Sequence, residues 1–101
     1  MAKLLFRERT VLGSNAGTFV EMRAFEVPQS REFPDGVKYS LVFILGGECV
    51  LRYDNEHGKG HHRHFKGKEA GIDFKAIEDL AKDFLSEVEK IMAEKQKGVF
   101  E

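Results

Sequence analysis

The sequence predicts an α+β domain of two layers, in which a four-stranded antiparallel meander sheet packs on one long C-terminal helix. In the first half of the chain, apolar and polar residues alternate in short runs, which is typical of strands with one covered face. From about residue 73, apolar residues recur at spacings of three and four, which indicates one amphipathic helix. Neither element can bury its apolar side alone, so the helix must cover one sheet face. The length of 101 residues predicts a single domain over residues 1–101.

Four strands are predicted, at about residues 3–12, 18–27, 38–45 and 48–54. The first strand ends at GSNAG (13–17), whose glycines and asparagine tolerate the positive φ of a turn. In the second strand, Val20, Met22 and Ala24 alternate with charged residues. The Gly-Gly pair at 46–47 lies between two runs of β-branched and aromatic residues, and it is the strongest hairpin signal in the chain.

Between the fourth strand and the helix, residues 55–68 are predicted to form a histidine-rich loop. Gly58 and Gly60 in this segment break any helix and allow a sharp reversal of the chain. The helix itself is predicted over about 74–96, with Asp73 as the candidate cap at its start. Its opposite face is charged, so it has one side for the sheet and one for solvent.

Composition limits the compartment and the partners. The net charge is -1, so anion binding must come from a local patch, and residues 51–68 are the segment in which basic residues predominate. The single cysteine cannot form an internal disulfide, which fits a reducing cytosol. The N-terminus lacks the apolar run of a signal peptide, and the longest apolar run, 41–45, is too short to span a bilayer. We expect a cytoplasmic protein that makes no membrane contact.

One helix can cover only part of a four-stranded sheet, so the sequence also predicts exposed aromatic surface. The aromatic side chains concerned are Phe6, Phe19, Phe25 and Phe43. Exposed apolar patches often mark a protein partner. We therefore expect either a homodimer or a complex with another protein.

The candidate site is the stretch RYDNEHGKGHHRHF (52–65), which follows the fourth strand and contains all four histidines of the chain. Rigid scaffolds commonly present functional side chains at such positions. Side chains alternate along an extended segment, so His62 and His64 share one side of it. For the same reason Arg52 and Asp54 share one face of the fourth strand. The chain reversal is expected to bring the two pairs towards each other.

Three interpretations of this stretch remain open. The first is an acid–base site for a phosphodiester, because RNA cleavage without a metal needs a base, an acid and cations, which histidine and arginine can supply. The second is a metal site, since His-x-His beside carboxylates offers zinc ligands, although the spacing matches no closed structural zinc motif and the interleaved cations oppose it. The third is a solvated polar loop that has no chemistry.

Under the first interpretation each residue type has a role. His62 and His64 transfer protons, and the sequence leaves open which of them is the acid. Arg52 binds the phosphate. Either Asp54 or Glu56 orients an imidazole. Further contacts to the substrate are expected from Arg63, Lys59 and Asn55. The site is expected to use neither a metal nor a cofactor.

Several of these residues have a plain structural alternative. Asp54 and Asn55 are residues that form turns by bonding their own backbone, and Lys59 is typical of a solvated rim. His57 and His61 are expected to surround the site rather than to act in it.

Several segments of the chain, taken together, resemble one known family. They are FRERTVL near the start, VEMRAFEVP in the second strand, KYSLVFI in the third, RYDNEHGKGHHRH after the fourth and IEDLAKDFLSEVEKI in the helix. The most specific part is YDNE, followed by GKG and then HRH. On these segments the chain resembles the TumE-type proteins, small toxins of prokaryotic toxin–antitoxin pairs, over nearly its whole length.

The resemblance implies the toxin of a type II toxin–antitoxin pair, and a partner antitoxin that is typically a helix-turn-helix DNA-binding protein. Small toxins of such pairs generally act on RNA. Joined to the histidine, arginine and carboxylate chemistry, this predicts a metal-independent ribonuclease with RNA as its substrate. The alternatives are a non-catalytic module that binds RNA or protein, and a protein that binds a metal through histidine and carboxylate.

Overall fold

The computed structural model describes residues 2–13, 17–56 and 60–96. Within these residues, six strands form one antiparallel sheet in the order β1-β2-β3-β4-β5-β6, and one helix follows them. The elements are β1 (Lys3–Val11), β2 (Phe19–Glu26), β3 (Val37–Leu45), β4 (Glu48–Asp54), β5 (His62–Phe65), β6 (Lys68–Gly71) and α1 (Ile77–Gln96). The α+β class and the helix packed on an antiparallel meander are therefore as predicted.

The predicted number of strands was wrong, because the segment assigned to a loop over 55–68 contains β5 and the start of β6. Each of these strands has only four residues, too few for alternation to give a clear signal. Their connection is a two-residue turn in which Lys66 and Gly67 both have positive φ, of 52° and 77°. A type I′ hairpin needs this geometry, but Lys-Gly lacks the Asn-Gly or Asp-Gly signature of such turns.

The helix begins three residues later than predicted. The backbone amide of Leu80 donates to the carbonyl of Ala76 at 3.1 Å, which is the first hydrogen bond of the helix. Phe74 lies outside the helix, where its ring stacks on His61 with the ring centroids 4.2 Å apart. No helix within the described ranges combines the length and the apolar character that a membrane crossing requires.

The core lies between α1 and one face of the sheet. Alternate residues of β3, namely Tyr39, Leu41 and Phe43, are fully buried there, and Leu51 joins them from β4. From α1, apolar residues spaced by four cover these side chains, with Phe84 fully buried and its ring edge-on to Tyr53. Alternate side chains of the strands thus pack against helix side chains that are spaced by four residues. The prediction that Phe43 is exposed was wrong.

A polar contact also holds α1 to the sheet. Glu87 of the helix accepts hydrogen bonds from Arg63 of β5, with Nε to Oε1 at 2.8 Å, and from the hydroxyl of Tyr53 on β4. The Arg63 guanidinium holds the pKa of the Glu87 carboxyl below its ordinary value. Burial, together with the hydrogen bond to Glu87, raises the pKa of the Tyr53 hydroxyl.

The helix leaves two parts of the sheet uncovered, namely the face opposite α1 and the edge strand β1. Among the described elements, nothing covers the face opposite α1, which we call the open face. β1 is exposed along almost its whole length, with Leu4, Leu5 and Val11 as large apolar side chains in contact with solvent.

We expect Phe84→Ala to lower the free energy of unfolding by about 3 to 5 kcal/mol, because it removes a fully buried ring between α1 and the sheet. Leu85→Ala is the matched control on the next helical position, where the side chain is 38% exposed. Urea unfolding followed by circular dichroism measures both. Equal losses in the two variants would contradict the described packing of α1.

We expect the Glu87 contact to make stability depend on pH in the acid range. Because the pKa of Glu87 is lowered in the folded state, its contribution is complete above the ordinary carboxyl pKa and is lost as the pH falls below about 5. Glu87→Gln should therefore flatten the fall of unfolding free energy between about pH 5 and pH 3. Glu89→Gln, on the exposed side of the same helix, makes the same charge change and should leave the slope intact. Identical slopes in both variants would contradict this assignment.

Candidate functional site

Two rows of side chains cross the open face from one edge of the sheet to the other. Each row takes one residue from every strand, because antiparallel pairing places residues of the same facing opposite each other. The first row is Arg9, Glu21, Val42, Arg52, His64 and Glu69. The second row is Arg7, Arg23, Ser40, Asp54, His62 and Gly71.

The β4–β5 pairing brings together four of the residues that the sequence singled out. His62 lies opposite Asp54, and His64 lies opposite Arg52. The two imidazole rings are 6.4 Å apart between centroids and are tilted by 48°. Both rings are partly exposed on the open face. Alternation places His62 with His64, and Arg52 with Asp54, on one side of their strands. The β4–β5 register brings these two pairs together on the same face.

Glu69 of β6 is a carboxylate that the sequence-based prediction missed. Its Oε2 lies 3.1 Å from His62 Nδ1 and 3.7 Å from His64 Nε2, so one carboxylate faces both imidazoles. The sequence predicts Asp54 or Glu56 in this position, because β6 is too short to be predicted as a strand. Glu69 is opposite His64 in the β5–β6 hairpin. The sequence has no strong signal for this hairpin, because Lys66-Gly67 lacks the Asn-Gly or Asp-Gly signature of a type I′ turn.

Arg52 and Asp54 form the β4 half of the site. Asp54 is 2% exposed, and its Oδ2 lies 3.8 Å from Arg52 Nε. Within the described part of the chain, the buried Arg52 Nε has no hydrogen-bond acceptor, while the side chain as a whole is 42% exposed. A guanidinium in this position can bind an anion that approaches from solvent.

Glu56 lies at the end of this site with a partner that the sequence did not suggest. Both of its carboxylate oxygens accept from Arg23 Nη2 of β2 at 3.2 Å. The pair lies at a polar cavity of about 360 Å³ on the open face. The cavity is lined by Glu21, Arg23, Ser40, Val42, Ile44, Arg52, Asp54 and Glu56.

Two of the three residues expected to contact the substrate do not face the histidine pair. Arg63 points to the opposite face of the sheet, where Glu87 engages it, because it alternates with His62 and His64. Asn55 is buried, accepting from the Tyr39 amide at 2.9 Å and donating to the Val37 carbonyl at 2.8 Å. We therefore do not include Arg63 or Asn55 in the proposed site. Lys59, like His57, lies outside the described residues.

His61 belongs to the packing at the end of the sheet. Its Nδ1 is 3.0 Å from the Tyr39 hydroxyl, and its Nε2 is 2.7 Å from Asp35 Oδ2. The ring is also stacked on Phe74. Burial, together with nearby carboxylates, raises the pKa of Tyr39. His61 therefore packs beside β5, and its ring does not face the open face.

The two imidazoles are close enough for one bound group to contact both of them. Reacting groups lie about 3 to 3.5 Å apart in productive complexes, so a group between two rings 6.4 Å apart is within reach of both. Arg52 lies beside His64, where its guanidinium can contact an anion, and Glu69 can fix the orientation of the rings. In the ranges that the structure describes, no three His, Cys, Asp or Glu side chains are grouped as metal ligands.

Comparison with known proteins identifies a family for this chain. No curated protein and no solved structure matches the chain. The family model described as Toxin TumE matches residues 2–92, which is most of the chain. The match includes the whole sheet, the histidine pair and most of α1. The chain therefore belongs to the TumE toxin family.

Proposed function

We propose that the protein is the toxin of a type II toxin–antitoxin pair and acts as a metal-independent ribonuclease. Membership of the family supports the toxin role. One observation carries the enzymatic part of the proposal, namely the pair of imidazoles 6.4 Å apart on the open face, in register with Arg52 and Asp54. The protein is proposed to act in the cytoplasm, where its RNA substrate is found.

The proposed reaction is an internal transesterification of RNA. One imidazole accepts the proton of a 2′-hydroxyl, whose oxygen attacks the adjacent phosphorus. The other, as imidazolium, donates a proton to the leaving 5′-oxygen as the phosphorus–oxygen bond breaks. The products are a 2′,3′-cyclic phosphate and a 5′-hydroxyl, so no redox partner or metal is needed. Histidine suits both roles because it titrates near neutral pH.

The remaining residues have supporting roles in this proposal. Arg52 neutralises the charge that grows on the phosphate oxygens in the transition state. Buried Asp54 faces His62 across the strands and lies near Arg52. It therefore favours a fixed position of the His62 and Arg52 side chains. Glu69 is proposed as a positioning residue that holds His62 and His64. Glu56 acts through its ion pair with Arg23 and closes the end of the cavity.

Regulation is proposed to come from a cognate antitoxin with a helix-turn-helix DNA-binding domain. The apolar residues Leu4, Leu5 and Val11 on β1 are candidate contacts for it, since exposed apolar groups often mark a protein partner. Self-association of two copies through the same strand is the alternative use of this edge.

We expect His62→Ala and His64→Ala each to lower kcat for RNA cleavage by about 100- to 10,000-fold, because each removes one proton-transfer group. Gel analysis of a 5′-labelled RNA measures the rate and identifies the cyclic phosphate end. Lys68→Ala is the matched control, since Lys68 is an exposed cation of the same hairpin that pairs with Phe65, on the other face.

The same variants give a second readout in cells. Induction of the wild-type chain without an antitoxin should arrest growth, and each histidine variant should relieve that arrest while Lys68→Ala should not. Growth arrest that persists in both histidine variants would contradict the catalytic assignment. Purified protein that binds RNA but leaves it intact would instead support a non-catalytic binding module.

We expect Glu69→Gln to lower kcat by about 10- to 100-fold and to leave KM nearly unchanged, because misplaced imidazoles lose reactivity without losing substrate contacts. Glu69→Asp retains the charge and should recover part of the rate. The separate effects on kcat and KM distinguish this role from general destabilisation. Steady-state kinetics at a temperature well below the unfolding transition measures both constants. Equal rates for Glu69→Gln and wild type would rule out the positioning role.

A further inference from the structure

The β1–β2 end of the open face carries cations that the proposed chemistry does not use. Arg7 and Arg9 of β1 belong to the same two rows as His62 and His64, at the opposite edge of the sheet. Within the described part of the chain, neither arginine takes part in an ion pair. Both residues are exposed. They are therefore available to an anion that lies across the face.

An aromatic ring accompanies these cations. The Arg9 guanidinium lies over the Phe19 ring at 4.0 Å from its centroid. Phe19 is two residues from Glu21 on β2 and faces the same side, so it flanks the first row. A planar guanidinium on an aromatic ring forms a stacking surface that suits a nucleobase of any type.

A polar cavity lies between the two ends of the rows. The cavity, which is lined by Arg23, Arg52 and three carboxylates, lies on β2, β3 and β4, which separate the two arginines of β1 from the histidine pair. Strands are about 4.8 Å apart in a sheet, so the path from β5 to β1 is roughly 19 Å long. Unlike the other face, this one has no helix over it within the described ranges.

We propose that the open face binds single-stranded RNA along these rows, with Arg7, Arg9 and Phe19 as a second contact region remote from the cleavage site. Arg7 and Arg9 donate N–H groups to backbone phosphates, and a base stacks on the surface that the Arg9 guanidinium and the Phe19 ring form together. The inference rests on the proposed function, since it concerns the same RNA substrate. A single strand fits this arrangement because its bases are free to lie against side chains on a flat surface.

The proposal is tested with a 2′-O-methyl RNA oligonucleotide of about ten nucleotides, which cannot be cleaved because its 2′-oxygens are blocked. Fluorescence anisotropy at several salt concentrations gives its Kd with the full chain. We expect the Arg7→Ala/Arg9→Ala variant to bind at least about 10-fold more weakly, with a log–log salt slope lower in magnitude by about 1.4, because two phosphate contacts are lost. Phe19→Leu, which keeps an apolar side chain, should weaken binding by at least about 5-fold.

The matched control is Lys82→Ala/Lys95→Ala, which removes two exposed cations from α1 and so from the other layer of the protein. It makes the same change in net charge and should leave both Kd and salt slope unchanged. With cleavable RNA, Arg7→Ala/Arg9→Ala should raise KM while kcat stays as in wild type. Circular dichroism establishes that every variant is folded.

The outcomes separate this inference from the proposed function. If the protein cleaves no RNA and the Arg7→Ala/Arg9→Ala variant loses RNA binding, the result supports RNA binding along the two rows and contradicts the ribonuclease proposal. RNA cleavage with a Kd and KM unaffected by Arg7, Arg9 and Phe19 overturns the inference and leaves the ribonuclease proposal intact. An RNA duplex that binds as tightly as the single strand also overturns it. Absence of RNA binding at low salt overturns it as well and leaves the open face to a protein partner.

Discussion

The pairing register of β4 with β5 is the constraint on which the other features of the site depend. With Tyr53 opposite Arg63, the side chains that hold α1 lie on one face, and Arg52, Asp54, His62 and His64 lie on the other. A slip of one residue would exchange the two faces, because side chains in a strand alternate with a period of two. The histidines would then lie under the helix, and Arg63 would be exposed on the opposite face. One register thus fixes both the packing of the helix and the composition of the open face.

The side chains on the two faces of the short β5 strand make different contacts. On the helix side, Arg63 and Tyr53 share Glu87, so the strand is fastened by charge-assisted hydrogen bonds as well as by the core. On the open side, His62 and His64 face Glu69 of the neighbouring strand. A four-residue strand has little backbone pairing of its own. Its rigidity therefore depends on contacts from both faces, and the proton transfer that we propose for His62 and His64 would require a rigid strand.

Charges on the open face are arranged as near neighbours of opposite sign rather than as one basic field. Arg23 pairs with Glu56, and Arg52 lies beside Asp54. With a net charge of -1, the chain has no general attraction for nucleic acid. Recognition of RNA under our proposal therefore depends on exposed Arg52 and on Arg7 and Arg9, which take part in no ion pair within the described residues. The exposed β1 edge provides a separate surface for a protein partner.

By itself, the sequence determined the fold class, the first four strands, the amphipathic helix and the alternation that puts His62 with His64. These features follow from local periodicity, which one segment can show without the others. Only the tertiary structure decided that 55–68 contains strands, that Glu69 faces both histidines and that Arg63 and Asn55 serve packing. The physical reason is that four-residue strands become stable through pairing with neighbours, and that a long-range register has no signature within a single segment.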